Sequence, residues 1–208
     1  MLKVYTDIFD ESRFKVWKKL KKVPGYLAGG TALALQIRHR ISYDFDIFLD
    51  KPISNRLAFK IKEIFINKDI RVVVDSGDEL TVMLDEEIKL SFVYFPFKNL
   101  KETLLTESIY VASVEDLLAN KAYAIGRRGV WRDYVDIYWG LKNKLIDFED
   151  LLKKTEKKFS GLFSRKLFLE QLVYFEGLEN RIVDWCNDEI SNDDIEKYLE
   201  NLVREYVK

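Results

Sequence analysis

Two aspartates separated by a single residue, Asp44 and Asp46, are the strongest candidates for chemistry in this sequence. They belong to the segment 43–49, whose strict alternation predicts a β-strand. Side chains two residues apart on a strand face the same way, with Cα atoms about 6.6 Å apart. Two such carboxylates repel each other unless a cation bridges them, and oxygen ligands favour Mg²⁺, with Mn²⁺ as an alternative. The competing interpretation is an Asp-x-Asp pair that faces solvent on an edge strand.

Gly29 and Gly30 stand upstream of this pair, immediately before a helix predicted from Thr31 to about residue 38. Glycine lets the backbone approach a ligand closely, and a helix N-terminus offers free N–H groups and a partial positive charge, which together suit a phosphate. A glycine pair before a helix is also a common turn. An anion cradle followed by a cation clamp is nevertheless what transfer from a nucleoside triphosphate requires, because that chemistry depends on positioning and charge neutralisation.

The elements that must position these residues form an α+β unit in the first half of the chain. The pattern predicts, in order, a helix, a helix, a strand, a helix and three strands. These cover residues 12–22, 31–38, 43–49, 55–67, 70–74, 80–84 and 88–95. The second half is predicted to be helical, over residues 113–125, 130–141, 147–159, 165–175 and 191–207. A mixed sheet with flanking helices, followed by a helical C-terminal part, is therefore expected.

The composition limits the class of protein. A chain of 208 residues with 48% apolar residues has enough material for a globular core, and its net charge of −1 means that any nucleic-acid surface must be a local patch. A lone Cys186 and a lone His39 exclude a disulfide framework and a clustered zinc site, so chemistry must depend on carboxylates, Lys and Arg. No apolar stretch is long enough to span a bilayer, and the N-terminus does not resemble a signal peptide. The sequence predicts a cytoplasmic protein with no membrane partner.

Two separated blocks of residues carry a family resemblance. The first block is Gly29-Gly30-Thr31-Ala32-Leu33, then Arg40, Ser42 and Asp44-x-Asp46-x-Phe48. The second is residues 113–122, which include Lys121, followed by Arg128 and Arg132-Asp133-Tyr134-x-Asp136. Both blocks, in this order, resemble the AbiEii/AbiGii-type toxin nucleotidyltransferases of the polymerase-beta-like nucleotidyltransferase superfamily.

The resemblance implies a nucleotidyltransferase-like core over residues 1–111 and a helical part, 112–208, that contributes Lys121 and Asp133 to the site. It implies that Asp44 and Asp46 ligate Mg²⁺ and act with Lys121 and Asp133 as the catalytic set. The residues implied to bind nucleotide are Gly29, Gly30, Thr31, Arg40, Ser42, Lys121 and Arg128.

The resemblance also implies a reaction and its partners. The reaction is transfer of a nucleotidyl group from an NTP to an acceptor, with tRNA as one candidate. The implied setting is the toxin of a type IV-like toxin–antitoxin or abortive-infection system, with a cognate antitoxin protein as partner. Two alternatives stay open: a transferase that modifies proteins, and a non-catalytic nucleotide-binding or interaction protein.

One departure from the superfamily pattern favours the non-catalytic alternative. Superfamily members commonly carry a third acidic residue on a later central strand, and the corresponding strand here has Ser91 at the expected position. A serine hydroxyl does not replace a charged metal ligand. Either Asp133 takes over that role, or the site binds nucleotide with weakened chemistry.

The residues of the second block allow simpler interpretations as well. Lys121 lies among apolar neighbours, where a lysine either extends to solvent or reaches an anion. Asp133 and Asp136 share a helix face, and there they are able to pair with Arg128 or Arg132. The basic residues near the predicted site, with aromatic residues among them that are able to stack on bases, indicate either RNA or triphosphate contact or a solvated helix face. These residues are Arg127, Arg128, Trp131, Arg132 and Tyr134.

Overall fold

The computed structural model describes residues 1–125, 127–178 and 180–208. The chain divides into two compact units, Met1–Ser113 and Val114–Lys208. The described residues contain no helix that is both long and apolar enough to cross a membrane.

The first unit, all of whose residues are described, is built on one seven-stranded mixed sheet. Its strands are β1 (Tyr26–Ala28), β2 (Phe45–Leu49), β3 (Ile70–Asp75), β4 (Glu79–Leu84), β5 (Ile88–Tyr94), β6 (Leu104–Leu105) and β7 (Tyr110–Val111). The strand order is β3-β4-β5-β2-β1-β7-β6. The pairs β2/β5 and β1/β7 are parallel, and the other neighbours are antiparallel.

Three α-helices accompany the sheet in the first unit: α1 (Glu11–Lys19), α2 (Gly29–Ile37) and α3 (Leu57–Ile64). The side chain of Asp10 caps α1 by accepting a hydrogen bond from the backbone N–H of Arg13 at 2.7 Å. Helix α2 is apolar and packs on β1 and β2, with Leu33 and Leu35 fully buried. Leu27, Ile47 and Phe92 of the sheet are also fully buried, so one sheet face supplies much of the core.

The described part of the second unit is helical, with α4 (Val114–Ile125), α5 (Trp131–Lys142), α6 (Phe148–Lys158), α7 (Arg165–Leu172) and α8 (Asn192–Tyr206). Helix α4 packs against α5, α6 and α7, and α8 packs against α5 and α7. The side chains of Asp147, Ser164 and Ser191 cap the N-termini of α6, α7 and α8.

The predicted α+β class with a mixed sheet is confirmed. Three strands, β1, β6 and β7, escaped prediction because two or three residues are too few to show an alternating pattern. The strand predicted over residues 43–49 begins only at Phe45, so the expectation that Asp44 and Asp46 both lie on it is wrong for Asp44. Asp44 occupies the segment that leads into β2.

Candidate functional site

The Asp46 carboxylate lies against the start of helix α2. Ala28, the last residue of β1, is the strand partner of Asp46 on β2, and the chain enters α2 at the next residue, Gly29. Gly29 has a φ of +66°, and a Cβ placed on it would come within 2.1 Å of the Asp46 Oδ2 atom. Only glycine satisfies both demands, because a left-handed backbone and this close approach exclude a side chain. The backbone at the helix start and the carboxylate are therefore adjacent.

Gly30 is enclosed in a similar way by side chains of the connection to β2. A Cβ on Gly30 would lie 2.7 Å from the Arg40 Nη2 atom and 3.1 Å from the Ser42 Oγ atom. The Thr31 hydroxyl hydrogen-bonds with the Ser42 hydroxyl at 2.9 Å and donates to the backbone carbonyl of Asp44. These contacts tie the first turn of α2 to the segment that carries Asp44.

The structure thus brings together the predicted glycines, Thr31, Arg40, Ser42 and the aspartates. Thr31, Arg40 and Ser42 are each buried, whereas Gly29 and Gly30 are partly exposed. A ligand at the start of α2 would therefore meet the backbone of the two glycines, and the three buried side chains would hold that backbone in place.

Strand β5 adds a charge that the sequence analysis did not identify. The Lys89 Nζ atom lies 2.9 Å from the Asp44 Oδ2 atom, and the two side chains are 42% and 37% exposed. An ion pair this exposed contributes little to stability, so a cation of higher charge is able to replace the lysine ammonium on the Asp44 carboxylate. The sequence did contain a signal for Lys89: it precedes Ser91 by two residues, so the two side chains face the same side of the strand.

Ser91 lies where a third carboxylate was expected. It is the strand partner of Asp46 across the parallel pair β2/β5, and its hydroxyl hydrogen-bonds with that of Thr81 at 3.0 Å. Within the described ranges, no group of three or more His, Cys, Asp or Glu side chains is arranged to hold a metal ion. A cation at this site would depend on Asp44 and Asp46 for its carboxylate ligands.

The second unit contains the other predicted site residues in one ionic network. The Lys121 Nζ atom lies 2.6 Å from Asp133 Oδ1 and 2.9 Å from Asp136 Oδ2. Arg128 adds a contact of 3.1 Å to Asp133 Oδ2. Lys121 and both aspartates are buried, whereas the Arg128 side chain is 59% exposed. Of the two interpretations of Lys121, the structure therefore shows an anion contact, and the anions are the chain's own carboxylates.

The expectation that Trp131 and Tyr134 stack on bases is wrong. Both side chains are buried in the second unit, where their rings lie 5.9 Å apart and both pack near Phe175. The Tyr134 hydroxyl donates to the backbone carbonyl of Gln171 at 3.0 Å, and burial, with a smaller effect of Asp133, raises the pKa of Tyr134 to about 12. Neither ring is accessible to a ligand.

Arg127 is engaged within the second unit as well. Its guanidinium lies 3.7 Å from the centre of the Tyr123 ring and donates to the backbone carbonyl of Leu162 at 2.6 Å. The Arg128 side chain is 59% exposed and extends into solvent from the ionic network.

Comparison with known proteins gives concordant matches along the chain. The chain is 31% identical over 189 residues to the uncharacterized protein aq_aa25 of Aquifex aeolicus (strain VF5), covering 88% of each protein. Two solved structures from Helicobacter pylori have the same fold. One, named "putative nucleotidyltransferase", has a TM-score of 0.60 at 21% identity, and the match covers 96% of this chain and 99% of that protein's chain. The other, JHP933, has a TM-score of 0.56 at 19% identity and covers 98% of both chains.

The family model "Nucleotidyl transferase AbiEii toxin, Type IV TA system" matches residues 21–205, a range that includes both blocks of site residues and most of both units. The chain is therefore a nucleotidyltransferase and belongs to the AbiEii toxin family of type IV toxin–antitoxin systems.

Proposed function

We propose that this chain transfers a nucleotidyl group from an NTP to an RNA acceptor, with tRNA as the first candidate, and that it acts as the toxin of a toxin–antitoxin pair. The observation that carries the proposal is the contact between the start of α2 and the Asp46 carboxylate, at Gly29. A triphosphate on the helix start would lie beside the Asp46 carboxylate, and a cation between the two would offset their repulsion.

The residues at this position fit a Mg²⁺ ion. Proteins commonly hold Mg²⁺ with one or two carboxylates, while phosphate oxygens and waters complete its octahedral shell. Asp44 and Asp46 would supply the carboxylates, and Mn²⁺ would fit the same donors. When bound, the cation would neutralise charge on the phosphate oxygens and favour ionisation of the attacking hydroxyl.

The chain's own residues would then orient the reactants. The backbone N–H groups at the start of α2 hold phosphate oxygens, and the buried side chains of Thr31, Arg40 and Ser42 keep that backbone rigid. The acceptor hydroxyl forms a bond to the α-phosphorus as the bond to the bridging oxygen of the β-phosphate breaks, and pyrophosphate leaves. Because Ser91 cannot accept a proton as a third carboxylate would, the hydroxyl proton leaves to solvent.

The second unit would contribute through its ionic network. Lys121 fixes Asp133, and Asp133 in turn holds the exposed guanidinium of Arg128. In this proposal the guanidinium of Arg128 contacts a substrate phosphate, while Lys121 and Asp133 position it. A planar guanidinium suits phosphate because it offers several donors in one plane.

The experiment that tests the proposal is transfer of label from each NTP, radiolabelled in the α-phosphate, to total tRNA in the presence of Mg²⁺. Wild type is expected to label tRNA and Asp46→Asn is expected not to. Asp78→Asn, an exposed aspartate in the same unit, is the matched control and should retain wild-type transfer.

A second candidate, a nucleotide-binding protein without transfer, is favoured by Ser91 beside Asp46 and by Lys89 on Asp44. It predicts Mg·NTP binding by calorimetry with no labelled product. Label that appears on protein instead of tRNA would identify a protein-modifying transferase. The absence of both label and binding would refute the nucleotide proposal as a whole.

A further inference from the structure

The sheet face that carries Asp46 also carries a group of aromatic side chains. Tyr26 of β1 is the strand partner of Phe48 of β2, two residues along from the Ala28–Asp46 pair. Because side chains alternate along a strand, Phe48 and Asp46 face the same side, with Cα atoms about 6.6 Å apart. Tyr110 of β7 lies next to Tyr26 on this face, since Leu27 and Val111 are strand partners.

These rings line a cavity of about 280 Å³ within the first unit. Its lining consists of Gly25, Tyr26, Phe48, Asp50, Thr103 and Tyr110. Phe48 is held by neighbouring rings, with Tyr26 at 6.1 Å edge-on and Phe95 at 4.4 Å in a stacked arrangement. Tyr110, by contrast, is 48% exposed. The cavity therefore has a fixed aromatic floor and one open aromatic wall.

From this arrangement we infer that the cavity binds a nucleobase that carries an exocyclic amino group. The inference rests on the proposed function, because the base is that of the NTP or of the acceptor nucleotide whose phosphate or hydroxyl reacts beside Asp46. A ribose separates a nucleotide's reacting group from its base, so the base must lie a short distance from the carboxylates. The cavity begins at Phe48, two residues along β2 from Asp46 and on the same face.

The size of the cavity supports a base rather than a whole nucleotide. Ligand pockets usually run from about 300 to 1,000 Å³, so this cavity is at the lower limit. Aromatic walls bind bases of any sequence through stacking, because every base has a π-face.

Asp50 supplies the selectivity for an amino group. Its side chain is exposed just after the end of β2, and among the described residues no cation pairs with it. An ionised carboxylate only accepts hydrogen bonds, so it pairs with the amino groups of cytosine, adenine or guanine. Uracil has no exocyclic amino group, and its single donor on the base, the ring N3–H, lies between two carbonyl oxygens that repel a carboxylate. Cytidine and adenosine are therefore expected to bind more tightly than uridine.

The first test uses nucleosides, which lack phosphates and so report on the cavity alone. Saturation-transfer-difference NMR on the full chain would measure the affinities of cytidine, adenosine and uridine for wild type, Tyr110→Ala and Tyr110→Phe. Tyr110→Ala is expected to weaken binding by about 5- to 100-fold and Tyr110→Phe to preserve it, because the stacked ring is what binds. Tyr5→Ala removes an equally exposed tyrosine of the same unit (49%) and should change nothing.

The second test concerns Asp50. Asp50→Asn, whose amide both donates and accepts, should reduce the preference for cytidine over uridine by about tenfold. Nucleoside binding that Tyr110→Ala leaves unchanged, or no binding by wild type, would overturn the inference. A preference unaltered by Asp50→Asn would overturn the assignment of selectivity. None of these results depends on transfer, so the cavity and the proposed reaction succeed or fail separately.

A third measurement distinguishes the two sources of the base, using the transfer reaction. If the cavity takes the base of the NTP, Tyr110→Ala raises the KM for NTP and leaves that for RNA unchanged. If it takes the terminal base of the acceptor, the KM for RNA rises instead. Transfer with both KM values unchanged would show that the cavity does not serve the reaction, and would overturn the inference.

Discussion

At the scale of single residues, Gly29 makes the contact on which the proposed site depends. Its φ is positive, and a Cβ at this position would lie only 2.1 Å from the Asp46 Oδ2 atom, which leaves no room for a side chain. Substitution there should affect stability and chemistry together, because the same position both starts α2 and touches the carboxylate.

We expect Gly29→Ala to lower the free energy of unfolding by about 1–2 kcal/mol for the left-handed backbone, with a further loss from the contact. Displacement of Asp46 should reduce transfer by about 100-fold, as misplacement of reacting groups commonly does. Urea unfolding and the label-transfer assay measure the two effects. Gly77→Ala is the matched control, since a Cβ on Gly77 meets no atom within 4 Å. Wild-type transfer by Gly29→Ala would refute the proposed role of this contact.

Ser91 and Lys89 show how one strand changes the charge of the site. Ser91 removes the carboxylate expected beside Asp46, and Lys89 adds a positive charge on Asp44. Both changes reduce the negative charge that would attract cations. This is the residue-level reason that catalysis and nucleotide binding require separate measurements.

At the scale of elements, a buried ion pair joins α4 to α6. The Asp116 carboxylate and the Lys158 ammonium are 2.7 Å apart, with both side chains fully buried. Burial lowers the pKa of Lys158, against the opposing effect of Asp116, so desolvation outweighs the attraction between the charges. Removal of one partner of such a pair strongly lowers stability, whereas replacement of both partners with apolar residues need not lower it.

Asp116→Leu alone is expected to destabilise the protein by about 3–5 kcal/mol, because it leaves the Lys158 ammonium buried without its carboxylate. Combining it with Lys158→Met should restore or exceed wild-type stability, since an apolar pair removes the desolvation cost. Chemical unfolding of the three proteins gives the comparison. A double variant no more stable than the single one would show that the ion pair is favourable overall.

At the scale of the whole molecule, the match to the AbiEii family over residues 21–205 includes both compact units. The formal net charge of −1 gives no general attraction to nucleic acid. Recognition of an RNA acceptor must therefore depend on local groups, such as the exposed guanidinium of Arg128.

The toxin assignment predicts a whole-cell effect. Induced expression of the wild-type chain in a bacterial host should arrest growth, and Asp46→Asn should not, because arrest would require transfer. Asp78→Asn should arrest growth like wild type. Co-expression of a cognate antitoxin should restore growth. Arrest by Asp46→Asn at equal protein level would show that toxicity does not come from nucleotidyl transfer.

Much of the fold followed from local patterns. Apolar spacing, helix-forming composition and capping residues identified every α-helix of the described ranges. Alternating and β-branched runs identified β2 to β5 to within about two residues at each end. The Asp44-x-Asp46 motif and the glycines at the start of a helix were visible because the residues involved are close in sequence, although α2 begins at Gly29, two residues before the predicted start. The very short strands β1, β6 and β7 were not visible in the sequence, because they are defined by the strands they pair with rather than by a pattern in their own residues.

The sequence by itself therefore determined the α+β class, the order of the longer elements and the two blocks that place the chain in its family. Only the tertiary structure decided which charges meet: Lys89 on Asp44, and Lys121 between Asp133 and Asp136. It also decided that Trp131 and Tyr134 are buried and that Gly29 touches Asp46. The physical reason is that periodicity is a property of neighbouring residues, whereas burial and charge pairing depend on strands and helices that are distant in sequence.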